Sequence, residues 1–465
     1  MTPYAILVGA SVILASASSA SASGFYVSTS GSDSADGSSA HPFATLRRAV
    51  SAMEQSGTHT TYLAGGKYYM SSTVNLGSAD SGMTIQSTPG SKAVLDGRSS
   101  LSTLIQINGA TGVTLKGLTF QYTGSNSAAL LLTNAHNATI IGNLFSHTGE
   151  GLRLQSGSSN NFVSGNEFDN SATSAIEVQN NSNNNRFDSN HISGTGAIGT
   201  KGGGFFLHGA NYNVISHNLV ENTAGIGIGI ENWDSSSVNV GNSVTDNIVH
   251  NVSMSPLSTD NGAIYLLGRS HVDTKTVINE NYISGPTQPL TSGAQVVAIY
   301  LDDLTSGVSV TNNIVANTVT HSFQIHGGFN VTVRNNIFDL GANSGLVYGK
   351  DSAGLLQSQN GYAMTGNSIT RNIIVSTSPK PLAFSSISGG NPTLDSNFYM
   401  DLTNSHFSFI GNYLPNTNAH YGNARFVNQA GGNYTLGSNS DAFSIGFSSI
   451  NQGAMGLHPT TVHWY

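Results

Sequence analysis

Ile140-Ile141-Gly142-Asn143-Leu144-Phe145 states a phrase that this chain repeats about ten times: a β-branched strand, an Asn, then an apolar step. It returns as Val163-Ser164-Gly165-Asn166-Glu167-Phe168, Ile215-Ser216-His217-Asn218-Leu219-Val220 and Val333-Arg334-Asn335-Asn336-Ile337-Phe338, with weaker echoes ending at Asn372 and Asn397. The steps between successive Asn residues are 23, 24, 28, 29, 34, 32, 23, 36 and 25. Such a period with short apolar alternation is one supersecondary unit stacked many times, a solenoid of strands. An Asn at a tight bend tolerates left-handed backbone, and amides one rung apart, about 4.8 Å, hydrogen-bond as a ladder. The recurring Asn residues are therefore expected to be structural.

Composition supports a long buried core. Of 465 residues only 9% are charged and 54 are Gly, yet the 38% hydrophobic content comes in regular period-2 bursts. A net charge of −8 with 16 Lys+Arg argues against nucleic acid or an anionic membrane as partner. There is no Cys and hence no disulfide framework. Residues 1–22 read as a secretory leader: an apolar Ala5 to Ala17 core and a small-x-small Ala20-Ser21-Ala22 site, although Lys and Arg are missing from its start. The mature chain, 23–465, reads as one secreted domain, expected to be a monomer, with no linker marking a second. After a first strand at Phe25-Tyr26-Val27, Thr45 to Met53 has helical spacing behind Pro42, with Thr45 as cap. A helix there would cover the open end of the core. Ala424 to Phe447 reads as a closing segment.

The rungs swell to 28–34 residues between Asn190 and Asn313, and that zone holds Glu221, Glu231, Asp234, Asp246, Asp260, Asp273, Glu280, Asp302 and Asp303. Extra residues leave a solenoid as loops, so a loop-walled groove with carboxylates is expected. A second register follows each apolar strand: Gln155, Gln179, His208, Glu231, a place near Leu267 to Arg269, Asp302, His326, and a place near Lys350. The change from neutral amides to ionisable groups points to a site; the alternative is a solvent-facing column in which any polar residue serves.

Two related phrases, Asp260-Asn261-Gly262-Ala263-Ile264-Tyr265-Leu266 and Ala298-Ile299-Tyr300-Leu301-Asp302-Asp303, lie on adjacent rungs. On a straight strand Asp260 and Asp302 would be about 20 Å apart, so they meet only if the chain bends before Ile264, which Gly262 permits. Two carboxylates are what glycosidic cleavage needs: one protonates the leaving oxygen, the other attacks or activates water. Glu231, two rungs or about 10 Å from Asp302, is a rival partner. Asp303 is expected to face the other way as a structural or orienting group. Arg269, His208, His326 and Lys201 would line the groove, with ion pairing or ladder bonding as their bland alternatives. Trp233 could offer a sugar a stacking platform. No His/Cys zinc spacing is visible. Asp33 with Asp36, or Asp302 with Asp303, leaves Ca²⁺ open, and no cofactor is expected to be required.

The opening from Tyr26-Val27 through Gly31, Asp33, Gly37, Pro42 and Thr45-Leu46 resembles the pectate-lyase-like superfamily of right-handed parallel β-helix proteins. The two phrases above and Ile325-His326-Gly327-Gly328 are similar to glycoside hydrolase family 141 and its relatives, including family 120. The resemblance implies an all-β, single-domain right-handed parallel β-helix with an N-terminal helical cap. It also implies a glycoside hydrolase acting on a polysaccharide or oligosaccharide, with Asp260 and Asp302 as the catalytic pair. Asn261, where Gly is expected, and Leu267, where an aromatic is more usual, put substrate choice in doubt. The rivals are a uronate lyase or C5-epimerase using Lys201 or Arg269 as base, and a non-catalytic carbohydrate-binding solenoid.

Overall fold

Short β-branched runs broken every few residues cannot form long strands, so each repeat folds as a rung of short strands joined by corners. A computed structural model describes residues 24–125, 127–197, 202–233, 237–255, 260–270, 272–285, 295–316, 321–341, 346–349, 363–377, 384–387, 390–403 and 416–458. One rung supplies Thr139–Ile141, Leu144–Ser146 and Glu150–Gln155; the next supplies Phe162–Ser164, Glu167–Asp169 and Ile176–Gln179. Stacking these rungs builds three parallel sheets of 15, 14 and 12 strands, a right-handed parallel β-helix. Register pairs Ile140 with Val163, Phe145 with Phe168 and Leu152 with Ile176, so inward residues lie on inward residues. Phe120, Phe145 and Phe168 stack at 4.8 and 4.6 Å, and one buried cluster runs from Val27 to Tyr399. Among the described residues no helix is long and apolar enough to cross a membrane.

The asparagine ladder is continuous. Asn143 donates its backbone N–H and its amide to Asn166 Oδ1 at 2.9 and 3.0 Å, and the same pair of bonds recurs down to Asn372 and Asn397. The other amide hydrogen goes back one rung, from Asn143 to the Leu115 carbonyl. The left-handed residue, however, is not this Asn but the one before it: Gly142 has φ 62°, Ser189 55°, His217 54° and Asp246 57°. That residue turns the corner and leaves the Asn free to cross-link rungs. A second ladder runs through Asn161, Asn185, Asn213 and Asn242.

At the N-terminal end helix Leu46–Gln55 buries Leu46, Ala49, Val50, Ala52 and Met53, with the Thr45 hydroxyl accepting from the Arg48 N–H. Asp33 is part of this cap: its oxygens accept from the N–H groups of Ala44 and Thr45 and from the Thr45 hydroxyl. The segment read as closing, Ala424 to Phe447, packs along the side of the solenoid together with the residues that follow it. Tyr434, Leu436, Ile445, Phe447 and Ile450 cover Ile314, Ile337, Ile373 and Phe398, the outer face of the 14-stranded sheet. That face carries apolar residues outward as well as inward, so it needed a cover. The leader read over residues 1–22 lies outside the described residues.

Candidate active site

The outer face of the 12-stranded sheet changes character in the swollen zone. Its strands lengthen to nine residues at Asp260–Gly268 and eight at Gln295–Asp302, against three to six in the other described strands of that sheet. Ile264, Leu266, Ile299 and Leu301 point into the core. Alternation then puts Tyr265, Leu267, Tyr300 and Asp302 outside, yet their exposures are only 1, 2, 3 and 4%. Phe206, Ile226 and Val297 join Tyr265, Leu267 and Tyr300 in a further apolar cluster on this face.

The column expected from sequence is realised in the register. His208 pairs with Glu231, Glu231 with Leu267 and Leu267 with Asp302; Leu301 pairs with Ile325, which brings His326 beside Asp302. Leu267 therefore fills the gap left open between Glu231 and Asp302, and Gly349 follows His326. Lys350, Lys201 and Asp234 lie outside the described residues.

Asp302 is the best-held group. Its Oδ2 accepts from the Tyr265 hydroxyl at 2.7 Å; its Oδ1 accepts from the Asp303 N–H at 2.8 Å and lies 2.7 Å from His326 Nδ1. Burial opposes its ionisation, but the bonds from His326 and Tyr265 prevail and hold the carboxyl below its usual range. An ionised carboxylate only accepts, so His326 carries its proton on Nδ1.

Asp303 does not face away. The strand ends at Asp302, and φ values of 31° at Asp303 and 66° at Leu304 turn the chain so that Asp303 stays on the same side. Its Oδ2 accepts from Arg269 Nε at 2.7 Å, with Nη2 also at 2.7 Å, and its Oδ1 lies 3.7 Å from His326 Nδ1. Burial and the Asp302 charge push its carboxyl up despite Arg269. The turn packs tightly: a Cβ on Gly268 would lie 2.3 Å from the Thr305 Cα. Arg269 in turn lies over the Trp233 ring, 4.6 Å from its centroid, and the indole N–H donates to Glu231 Oε2 at 2.6 Å. Trp233, read as a sugar platform, is 43% exposed but shares one face with Arg269. Glu231 is buried, and its Oε1 has no hydrogen-bond partner among the described residues.

Asp260 begins its strand exposed and pairs with Gln295. Alternation breaks just after Gly262: the consecutive pairs Ala263-Ile264 and Ala298-Ile299 are all inside the core cluster. Burial, then Asp302, Asp260 and Glu231, drive the Tyr265 hydroxyl far above its usual range. Burial, Asp302 and Asp260 do the same for Tyr300. Three carboxylates thus act on one phenol, and both phenols are fixed neutral. These tyrosines were quoted in the repeated phrase but not read as site residues; their alternation with Ile264, Leu266, Ile299 and Leu301 was the available signal.

His208 belongs to a neighbouring feature. It stacks on Phe206 and lines a cavity of about 410 Å³ with Glu177, Gln179, Asn180, Asn181 and Ser237. As for a metal, Asp302, Asp303 and His326 offer donor atoms within 4.8 Å of one another. Ca²⁺ takes about six to eight oxygens, and here one of three donors is an imidazole, so the set does not fit it.

The sequence of residues 25–184 matches the family described as Pel9A-like, right handed beta helix region, a segment that stops short of Asp260 and Asp302. No curated protein matches the chain. A solved glycoside hydrolase superposes with a TM-score of 0.53 at 12% identity, over 75% of this chain and 96% of that one. A mannuronic acid specific polysaccharide family 6 lyase from human gut microbiota gives 0.49 at 14%, over 83% and 92%. A rhamnogalacturonan lyase gives 0.44 at 13%, over 75% and 87%. The first of these likenesses establishes the fold and leaves the chemistry to the residues themselves.

Proposed function

We propose that the protein is a secreted glycoside hydrolase that cleaves a polysaccharide or oligosaccharide with two carboxylates. The observation that supports this best is Asp302, a buried carboxylate held ionised by three donors at the centre of a water-shielded face. In this reading Asp302 is the nucleophile or water-activating base. Asp260, whose charge reaches the same two phenols, protonates the leaving oxygen. Tyr265 steers Asp302, while Arg269, Asp303, His326, Glu231, Trp233, His208 and Lys201 position sugar hydroxyls. The resemblance of the Asp260 and Asp302 phrases to families 141 and 120 points the same way. Of the two bases read for a uronate lyase, Arg269 is engaged by Asp303 and Trp233, while Lys201 lies outside the described residues.

The test is mass spectrometry of products from a panel of neutral and uronate polysaccharides, with the wild type, Asp302→Asn, Asp260→Asn and Glu231→Gln. Fragments one water heavier, absent with both Asp variants, are expected. Unsaturated fragments would turn the reading into a lyase, and activity lost in Glu231→Gln but kept in Asp260→Asn would move the acid to Glu231.

A further inference from the structure

The 12-stranded sheet carries a concavity nearer its N-terminal end that the reacting groups do not use. It has a volume of about 410 Å³, and its lining includes Glu177, Gln179, Asn180, Asn181, His208 and Ser237. Cavities of about 300–1,000 Å³ are of ligand size. Gln179 pairs with His208, and His208 stands three register steps before Asp302, through Glu231 and Leu267. At one rung per step, His208 and Asp302 are about 14 Å apart along the solenoid.

The corner after this column builds the cavity. Past Gln179 the chain turns through two consecutive left-handed residues, Asn180 at φ 53° and Asn181 at 62°, as it does past Asp302 at Asp303 and Leu304. At the next rung Gly209 makes the turn at 62°, and its missing side chain lets Ser237 close in: a Cβ there would lie 3.3 Å from the Ser237 Cα. The His208 ring is fixed by stacking on Phe206, centroids 5.5 Å apart and planes 18° from parallel. Neither of its nitrogens has a hydrogen-bond partner among the described residues. Gln179 is oriented by donating to Glu177 Oε1, and Glu177 Oε2 accepts from Arg153 at 3.1 Å. Both oxygens of the one lining carboxylate are therefore engaged, and no Lys or Arg is among the described lining residues.

We propose that this cavity is a distal subsite that holds one uncharged sugar unit of a polysaccharide whose reacting bond lies at Asp302. The inference rests on the reading of Asp302 as a reacting group. Amides, an imidazole and a hydroxyl supply the donors and acceptors that sugar hydroxyls need. A uronate unit would instead bring its carboxylate against Glu177, with no lining cation to offset the repulsion. A pyranose unit is about as long as one rung is deep, about 4.8 Å, so about three units span the path from His208 to Asp302. The substrate is then a chain of at least about four units of a neutral polysaccharide, not a disaccharide.

The experiment has two readouts. The first is native gel electrophoresis of the full chain carrying Asp302→Asn, through gels holding xylan, galactomannan, mixed-linkage glucan, polygalacturonate or alginate. Retardation by a neutral polymer is expected, with affinity reduced about 10-fold when His208→Ala or Gln179→Ala is added. The second is kcat/KM, with Asp302 in place, on oligosaccharides of that polymer of increasing length. A rise of about 10-fold or more is expected once the chain is long enough to reach His208, and His208→Ala and Gln179→Ala should each abolish it. Damage to the fold would lower all lengths alike. No retardation by any polymer, retardation by the uronate polymers alone, undiminished affinity in both variants, or a length dependence that both variants keep would overturn the proposal. Binding of a neutral polymer that depends on His208 and Gln179 but yields no fragments would overturn the hydrolase reading and leave the subsite standing.

Discussion

Two columns run the length of this solenoid and obey different rules. At one corner, every rung from Asn143 to Asn397 presents the same residue, because each amide must bond its neighbours above and below. On the outer face of the 12-stranded sheet the column reads Gln179, His208, Glu231, Leu267, Asp302, His326, changing at each step. Where backbone groups would otherwise be left unsatisfied, geometry dictates the residue. Where the backbone is already satisfied, chemistry can choose. Uniformity along a column therefore marks structure, and its loss marks the place to look for function.

The largest effect should come from the variable column. Asp302→Asn keeps shape and burial but removes the ionised carboxylate, so kcat is expected to fall about 10³-fold or more. Its melting temperature should stay close to that of the wild type, because the Asn carbonyl can still accept from His326 and the Asp303 N–H while the Tyr265 hydroxyl turns to accept from the amide. The uniform column should show the reverse. Asn218→Leu removes the amide that donates to Asn247 and to the Phe187 and Ser216 carbonyls, and the Oδ1 that accepts from Asn190. A loss of about 3 kcal/mol in urea unfolding is expected, with the active site intact in the chains that remain folded. Stability lost in the first variant and activity lost per folded molecule in the second would break the distinction between the columns.

How far the sequence carries follows from the same contrast. The period and the Asn ladder were readable because each follows from repetition, and the helical cap because Thr45 to Met53 keeps helical spacing. The order of the site column was readable because a repeat supplies its own alignment. Asp303 was misplaced because its two consecutive left-handed residues lack the Gly that usually announces such a turn. The left-handed corner was assigned one residue late, since Ser189, His217 and Asp246 vary while the Asn beside them does not. Tyr265 and Tyr300 were hidden inside an apolar phrase. The path of the closing segment was not readable because its contacts join residues far apart in the chain, such as Asn335 and Ser448.

Glu150 tests the early, apparently inert end of the site sheet. Burial and the neighbouring Glu177 push its carboxyl up to about 8, although Arg153 bonds both acids. The unfolded chain titrates this group near pH 4.3, so between about 4.3 and 8 the folded state holds a proton that the unfolded state has lost. Stability is then highest below the unfolded pKa and falls as pH rises towards 8. Between pH 5 and 7 the fall should be about 2 kcal/mol, and Glu150→Gln should flatten that part of the profile in denaturant titrations. A profile unchanged by the substitution would mean that Arg153 keeps Glu150 ionised.

The smallest effect expected is at Trp233, and it decides whether Glu231 reacts or only positions. Trp233→Phe removes the indole N–H that donates to Glu231 Oε2 while keeping an aromatic face for Arg269. If Glu231 only binds sugar, the loss is one hydrogen bond to a charged group, about 1–2 kcal/mol, and it should raise KM several-fold with kcat nearly unchanged. If Glu231 is the proton donor instead of Asp260, disturbing its position should lower kcat rather than raise KM. A KM effect alone keeps Glu231 with the groups that hold the substrate and leaves the reacting pair at Asp260 and Asp302. A lowered kcat places the acid two rungs from Asp302 in the same column, where stacking alone sets the separation at about 10 Å.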